Sequence, residues 1–315
     1  MPTHLTTSPE EAAAYLRRGD PVAFPTETVY GLGAGVFDAA GVQRVFRLKG
    51  RPVDNPLIVH IFERRQIDLV ASEPGPAALT LIAAFFPGPL TLVLEKLPEI
   101  PSEVTGGLRT VAVRMPLPQL TRQFLGYCEQ PVAAPSANLS GRPSPTTWQD
   151  VLDDFHGSIP CILQGPQSIH GLESTVVDCT MHPPVLLRPG SVSLESLREI
   201  VPDLLVEHDQ SDIAARSPGM RHRHYAPEAR VLVVSDPHDA TASHDVAYIG
   251  LTPPDGASAF GLVCVCRDVS HYAFEIYHFL RTCDRLGVRT IYCQRVDERG
   301  IGRALMDRLA RAAAR

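Results

Sequence analysis

Short apolar runs, each cut off by proline or glycine, constrain this chain more than any other feature. Pro21 to Phe24, Leu57 to Ile61, Leu90 to Leu94, Val111 to Met115, Val132 to Ala134, Cys161 to Leu163, Ser174 to Asp178 and Val185 to Leu187 each have the length and side chains of a buried strand. Helical patterns fall among them at irregular intervals. Ser8-Pro9-Glu10-Glu11 has a hydroxyl cap, proline at the first helical position and a glutamate three residues on, which predicts a helix with a capping box that ends at Gly19. Asp38 caps a second helix, with Val42, Val45 and Phe46 at helical spacing; Pro76 to Phe86, Thr146 or Thr147 to His156, and Ser193 to Val201 read as three more. Strands outnumber helices and do not alternate with them, so the pattern predicts an open twisted mixed α/β sheet and not a simple doubly wound one.

At 315 residues and 44% hydrophobic, the chain can bury a sizeable core and has length for two domains. The stretch 207–229 is poor in apolar residues and reads as a linker between a domain at 1–206 and a smaller one at 230–315. In the latter, Val231 to Val234, Val246 to Ile249, Leu262 to Val265 and Thr290 to Cys293 are parallel-type strands. Helices from about Ser270 to Leu286 and from Ile301 complete a Rossmann-like βαβ unit. The linker is unusual in holding Met220, Arg221, His222, Arg223, His224 and Tyr225 between prolines, which suggests contact with a ligand. His222-x-His224 has a spacing that a metal could use, although a plain linker is the ordinary reading of such a pair.

The formal net charge of −6 argues against a dedicated nucleic-acid coat. No basic-then-apolar leader pattern opens the chain, and no run approaches the roughly 18 apolar residues of a membrane span, so a cytoplasmic location is expected. Seven cysteines without a Cys-x-x-Cys pair read as reduced, buried thiols. Nucleophile elbow, zinc-protease helix and Walker loop are all absent.

The densest chemistry lies between Phe24 and His60. Pro25-Thr26-Glu27-Thr28 places hydroxyls and a carboxylate directly after an apolar strand, where they need partners. Gly31-Leu32-Gly33-Ala34-Gly35 is similar to a dinucleotide turn, but Val36 stands where the third glycine belongs, so phosphate binding by another geometry is expected. Lys49 and Arg51 at a helix end would ordinarily be solvated charge. With Asn55, the hydroxyl turn and His60 nearby, they point instead to an oxyanion site. Arg114, inside a strand, needs a carboxylate from the protein or from a ligand. A second hydroxyl-rich loop, Pro135 to Ser144, mirrors the first.

These residues carry a resemblance. Pro25 to Leu32, Lys49-Gly50-Arg51-Pro52 with Asn55-Pro56-Leu57, Pro87 to Thr91, Thr110 to Pro116, Ala134 to Asn138 and Glu173-Ser174-Thr175 resemble the YrdC-like family, and Ser217 to Pro227 with the terminal unit resembles its long, two-domain threonylcarbamoyl-AMP synthase form. The resemblance implies a nucleotidyltransferase that converts L-threonine, bicarbonate and ATP into threonylcarbamoyl-adenylate and pyrophosphate, for the t6A modification of tRNA. It places threonine near Thr28, His60, Arg114, Ala134 and Ser174, with Arg114 taking the threonine carboxylate. ATP falls on Lys49, Arg51, Asn55, Thr110, Ser136, Asn138, Ser144 and Arg188, with Tyr225 closing over the pocket from outside both cores; Lys49, Arg51 and Tyr225 are the catalytic candidates. Mg²⁺ is implied as the companion of ATP, held by phosphates and not by a protein metal site. Also implied is a transient contact with the threonylcarbamoyl transferase complex, with no tRNA binding required; a monomer is the default expectation. Arg221-His222-Arg223 and Asp307 depart from the family pattern. The competing readings are an RNA-binding YrdC-like module and a related carbamoyl-adenylate transferase.

Overall fold

A computed structural model describes residues 2–206 and 225–314; Met220 to His224 lie outside the described residues. The first sheet is built from β1 (His4–Thr6), β2 (Val22–Phe24), β3 (Gly31–Gly35), β4 (Ile58–His60), β5 (Leu90–Glu95), β6 (Thr110–Arg114), β7 (Val132–Ala134), β8 (Cys161–Leu163), β9 (Thr175–Asp178), β10 (Val185–Arg188) and β11 (Leu205–Val206). Its spatial order is β1-β8-β2-β3-β7-β4-β6-β5-β9-β10-β11. Parallel pairs such as β4 with β6 mix with antiparallel ones such as β4 with β7. This is the mixed α/β architecture that the irregular order of strands and helices foretold.

The helices α1 (Pro9–Arg17), α2 (Ala39–Lys49), α3 (Pro76–Phe85), α4 (Ser102–Thr105), α5 (Gln119–Tyr127), α6 (Trp148–Phe155) and α7 (Leu194–Ile200) accompany this sheet. The second sheet, order β12 (Arg230–Val234), β15 (Thr290–Gln294), β13 (Val246–Gly250), β14 (Leu262–Val265), is parallel throughout. It packs with α8 (Val269–Arg285) and α9 (Ile301–Ala313).

Three local readings change. The glycine run is not a turn but strand β3, paired with β2 and β7. A Cβ on Gly33 would sit 2.5 Å from Val132 Cγ1 and 2.9 Å from the Phe24 ring, so the glycines make room for neighbours across the sheet and not for a phosphate. Ser8 does cap α1, accepting from Glu11 N, but the Glu11 carboxylate turns away to the Thr6 hydroxyl and His4 Nε2. Ser8 N instead finds Thr6 Oγ1 at 3.0 Å, so β1 supplies the second half of the cap. Finally, α5 carries no strong start signal, being capped by Pro118 without a side-chain bond, yet it buries Phe124 and Leu125.

The two sheets share apolar packing: Val29 and Leu172 from the first unit belong to the same buried cluster as Tyr225, Tyr277 and Leu305. All seven cysteines are unpaired, and only Cys264 is not fully buried.

Candidate active site

Three strand ends of the first sheet meet at one place. In the register of β4, His60 lies beside Arg114 of β6 on one side and Val132 of β7 on the other, and Ile58 opposes Ala134. The turn after β2 closes over them. Thr26 Oγ1 accepts from the amides of Thr28 and Val29 at 3.1 and 3.2 Å, a local hydroxyl turn that replaces backbone partners. Thr28 Oγ1 in turn accepts from Arg114 Nη1 at 2.7 Å.

Arg114 obtains its carboxylate from the chain itself. Its Nη2 lies 2.7 Å from Glu27 Oε1, and both side chains are buried. The N–H groups do not point along that contact, so the pair is a charge contact without an aligned hydrogen bond. In the resemblance the ligand alone supplied this carboxylate; the tertiary structure adds Glu27, a residue passed over as part of a turn.

His60 is buried beside this pair. Burial, reinforced by the neighbouring Arg114 charge, pushes its imidazole down to about 3, so it is neutral, with Nδ1 donating to Ile58 O at 3.0 Å.

The second wall is the Pro135 to Ser144 loop. Ser136 Oγ donates to Asn138 Oδ1 at 2.5 Å, and Asn138 Nδ2 donates to the carbonyls of Leu139 and Arg142 at 2.8 and 2.9 Å. α2 delivers Lys49 to this loop and ends at Gly50, whose φ of +59° turns the chain so that Arg51 enters the pocket. Lys49, only 2% exposed, is not solvated: its ammonium donates to the carbonyls of Ser136 and Asn138. Burial, then the Arg51 charge, holds its pKa well below the lysine range. Arg51, 8% exposed, donates to the carbonyls of Asn55 and Pro56 and is lowered to about 10, mainly by burial.

A third side comes from β9 and β10. Arg188 reaches Ser174 O through Nε and Nη2 at 3.1 and 2.9 Å, and Ser174 Oγ pairs with Thr91 Oγ1 at 2.7 Å. Burial lowers the Arg188 pKa as well. Arg51 and Arg188, both on the lining and held away from water, make this an anion-seeking cavity.

The cavity is lined by Thr28, Arg51, His60, Arg114, Ala134, Ser136, Asn138, Ser144, Ser174, Arg188 and Tyr225 among the residues named from sequence. Lys49, Asn55 and Thr110 are not on its surface. Lys49 stands behind Ser136 and Asn138. Asn55 is buried below Arg51. Thr110 sits at the far end of β6 from Arg114, paired with Glu95 and about 13 Å away along the strand.

Tyr225 departs from its expected place. It is buried, at φ +70°, with its ring stacked on Tyr277 at 5.6 Å and the Arg308 guanidinium 5.3 Å from its centre, so it belongs to the core of the second unit. Glu173, not singled out as a site residue, also lines the cavity. Its Oε1 accepts from Ser144 Oγ at 2.6 Å, and its Oε2 accepts from Tyr277 OH at 2.9 Å and Arg308 Nε at 2.8 Å. Arg281 of α8 holds the second wall, donating to Pro143 O at 2.7 Å and Asp154 Oδ2 at 2.8 Å. Asp307 pairs with Arg308 and, at 3.1 Å, Arg311. No local pattern marks the pairing of Glu173 with Tyr277 and Arg308 or of Asp154 with Arg281, because these partners are 104, 135 and 127 residues apart in the chain.

The model of the family described as "Telomere recombination", which spans the Sua5, YciO and YrdC proteins, matches residues 14–190. The chain belongs to the Sua5/YciO/YrdC family. A second model, "Threonylcarbamoyl-AMP synthase, C-terminal domain", matches residues 192–314, which places the chain in the long form of that family. The threonylcarbamoyl-AMP synthase of Pyrococcus abyssi is 43% identical over 96% of this chain and 92% of its own length. That of Bacillus subtilis is 39% identical with the same coverage. Among solved structures, P. abyssi Sua5 complexed with L-threonine superposes with a TM-score of 0.92 at 41% identity, covering 99% of this chain and 98% of that one. Escherichia coli YciO, at 20% identity and a TM-score of 0.54 over 60% of this chain, shares the fold of this Sua5/YciO/YrdC unit.

Proposed function

We propose that this protein is a threonylcarbamoyl-AMP synthase, a nucleotidyltransferase that makes threonylcarbamoyl-adenylate and pyrophosphate from L-threonine, bicarbonate and ATP. The observation that carries the proposal is the single cavity in which buried Arg51 and Arg188 converge with buried Arg114 and neutral His60 between two hydroxyl-rich walls. A cavity of that kind suits one amino-acid carboxylate and one polyphosphate. The long-form relatives that match over nearly all of the chain, one of them solved with L-threonine, support the same assignment.

The chemistry asks for little beyond positioning. The threonine amine adds to the carbon of bicarbonate with loss of water, giving a carbamate. A carbamate oxygen then attacks the α-phosphorus, the new P–O bond forms in line with the breaking bond to pyrophosphate, and pyrophosphate leaves with the electron pair. Thr28, His60, Arg114, Ala134 and Ser174 form the threonine side. Arg114 is oriented by its hydrogen bond to Thr28 with the Glu27 charge beside it, and His60, being neutral, adds no charge to compete for the carboxylate.

Arg51 and Arg188 face the phosphates, with Ser136, Asn138, Ser144 and Tyr225 around them. Lys49 acts through the wall it ties down. Asn55 supports Arg51, and Thr110 borders the outer reach of the nucleotide. Mg²⁺ arrives as part of the MgATP substrate. The hydroxyl and amide oxygens of the pocket suit an ion whose shell is mainly phosphate and water. A division of the chain at 1–206, 207–229 and 230–315 and a transient hand-over to the enzyme complex that consumes the adenylate are parts of this proposal.

Purified protein given ATP, L-threonine, bicarbonate and Mg²⁺ is expected to release pyrophosphate only when all four are present. Release that is absent, or indifferent to threonine, removes the synthase reading in favour of another carbamoyl-adenylate transfer or a binding role.

A further inference from the structure

The second wall of the cavity has no regular structure of its own. Residues 137–147 form neither helix nor strand, yet Asn138 and Ser144 of this stretch line the pocket beside Ser136. Asn138 ties the turn from within, through the carbonyls of Leu139 and Arg142. Three alternate residues of the turn are then held by groups from outside it. Leu139 N donates to Asp154 Oδ2 at 3.1 Å, Gly141 O accepts from Ala226 N at 3.0 Å, and Pro143 O accepts from Arg281 Nε and Nη2 at 3.0 and 2.7 Å.

Two of these outside groups also hold each other. Arg281, 6% exposed on α8, meets the Asp154 carboxylate as a fork, Nη1 to Oδ1 at 3.3 Å and Nη2 to Oδ2 at 2.8 Å. The Asp154 side chain is fully buried, whereas Arg142, which donates to Oδ1 at 3.0 Å, is half exposed. Burial opposes ionisation of Asp154, but Arg281 first, then Arg142 and the Leu139 amide, hold its carboxyl below the usual range. Removal of Arg281 would leave this buried charge to a half-exposed partner and take a charged donor from Pro143 O.

We infer that Arg281 is a positioning residue for the nucleotide: by forking onto Asp154 and Pro143 it fixes the 139–143 turn, and so sets where Asn138 and Ser144 stand against the polyphosphate. One side chain of the second unit thereby shapes a wall built by the first. The planar guanidinium reaches a carbonyl and both carboxylate oxygens at once, which the point charge of an ammonium does not. The threonine side is set elsewhere, by the turn after β2 and by the register of β4 with β6. This inference rests on the assignment of ATP to the Ser136 to Ser144 wall.

The test is steady-state pyrophosphate release by the full-length protein, with ATP and L-threonine varied in turn. Arg281→Met is expected to raise the KM for ATP about tenfold or more and Arg281→Lys about threefold, while the KM for L-threonine stays within about twofold of native in both. Partial unfolding lowers the rate without moving a KM, so this split separates positioning from stability. Arg285, one turn further along α8, pairs with Asp150 and Asp153 and docks the same two helices. Arg285→Met is therefore the control, and its KM for ATP is expected to stay within about twofold of native.

An unchanged KM for ATP in both Arg281 variants overturns the inference. So does an equal rise for both substrates, or a rise in Arg285→Met that matches Arg281→Met, since either means that Arg281 merely docks the units. If Arg281→Met does not fold, Arg281→Lys decides by the same comparison. A native protein that shows no threonine-dependent pyrophosphate release removes the synthase assignment before any variant is compared, and the inference with it.

Discussion

His60 and Arg114 stand side by side in register, but burial treats them differently. The Arg114 guanidinium is contacted by Glu27 and Thr28, whereas burial and the neighbouring Arg114 charge push the His60 imidazole down and leave it neutral. The direction of the pH dependence follows. Unfolded, His60 titrates near 6.5; folded, near 3. Between those values the unfolded chain binds a proton that the folded chain does not. The His60 contribution to stability is therefore complete above about pH 6.5 and is lost as pH falls toward 3. Urea unfolding at pH 7.5 and pH 5 is expected to show a pH-linked loss in the native protein that is larger, by about 2 kcal/mol, than in His60→Gln. Equal losses would mean that His60 is protonated in the folded protein. At this scale the sequence identified residue types well. The need of Arg114 for a carboxylate followed from its place in an apolar strand, but Glu27 as the source did not, since side-chain direction in a turn depends on the sheet beneath it.

Elements show why strand β3 was read as a turn. Gly31, Gly33 and Gly35 carry no β-propensity, and their strand exists because β2 and β7 flank it and leave no space for side chains. Gly33→Ala would press a methyl against Val132 Cγ1 at 2.5 Å and the Phe24 ring at 2.9 Å, both packed in the same wall. Overpacking of that kind is expected to cost about 2 kcal/mol in denaturant unfolding, and a neutral substitution would show that β3 is looser than its packing implies. α2, by contrast, was legible from end to end: Asp38 accepts from Gly41 N, Gly50 turns at positive φ, and between them the apolar stripe is buried. The unexpected feature is its last residue, because Lys49 at a helix C-terminus is ordinarily solvated and here is enclosed by the Ser136 to Asn138 backbone.

Across the whole molecule, the two sheets are tied by polar as well as apolar contacts. Arg281 with Asp154, Arg285 with Asp150, and Arg308 with Glu173 cross between units, and Val29 and Leu172 pack into the second unit's cluster. Scanning calorimetry is therefore expected to show one transition with equal calorimetric and van't Hoff enthalpies; two resolved peaks would mean that the units unfold independently. Among the described residues no helix is long and apolar enough to cross a membrane. By itself the sequence determined the mixed α/β class, the two polar loops, the cationic Lys49 to Arg51 cluster and the family, because short-range patterns and motif spacing encode all of these locally. Only the tertiary structure decided which carboxylates answer the buried cations. Glu27 reaches Arg114 across the sheet, and Arg308 reaches Glu173 from the last helix, since burial forces every charge to find a partner and the fold alone determines which one is in reach.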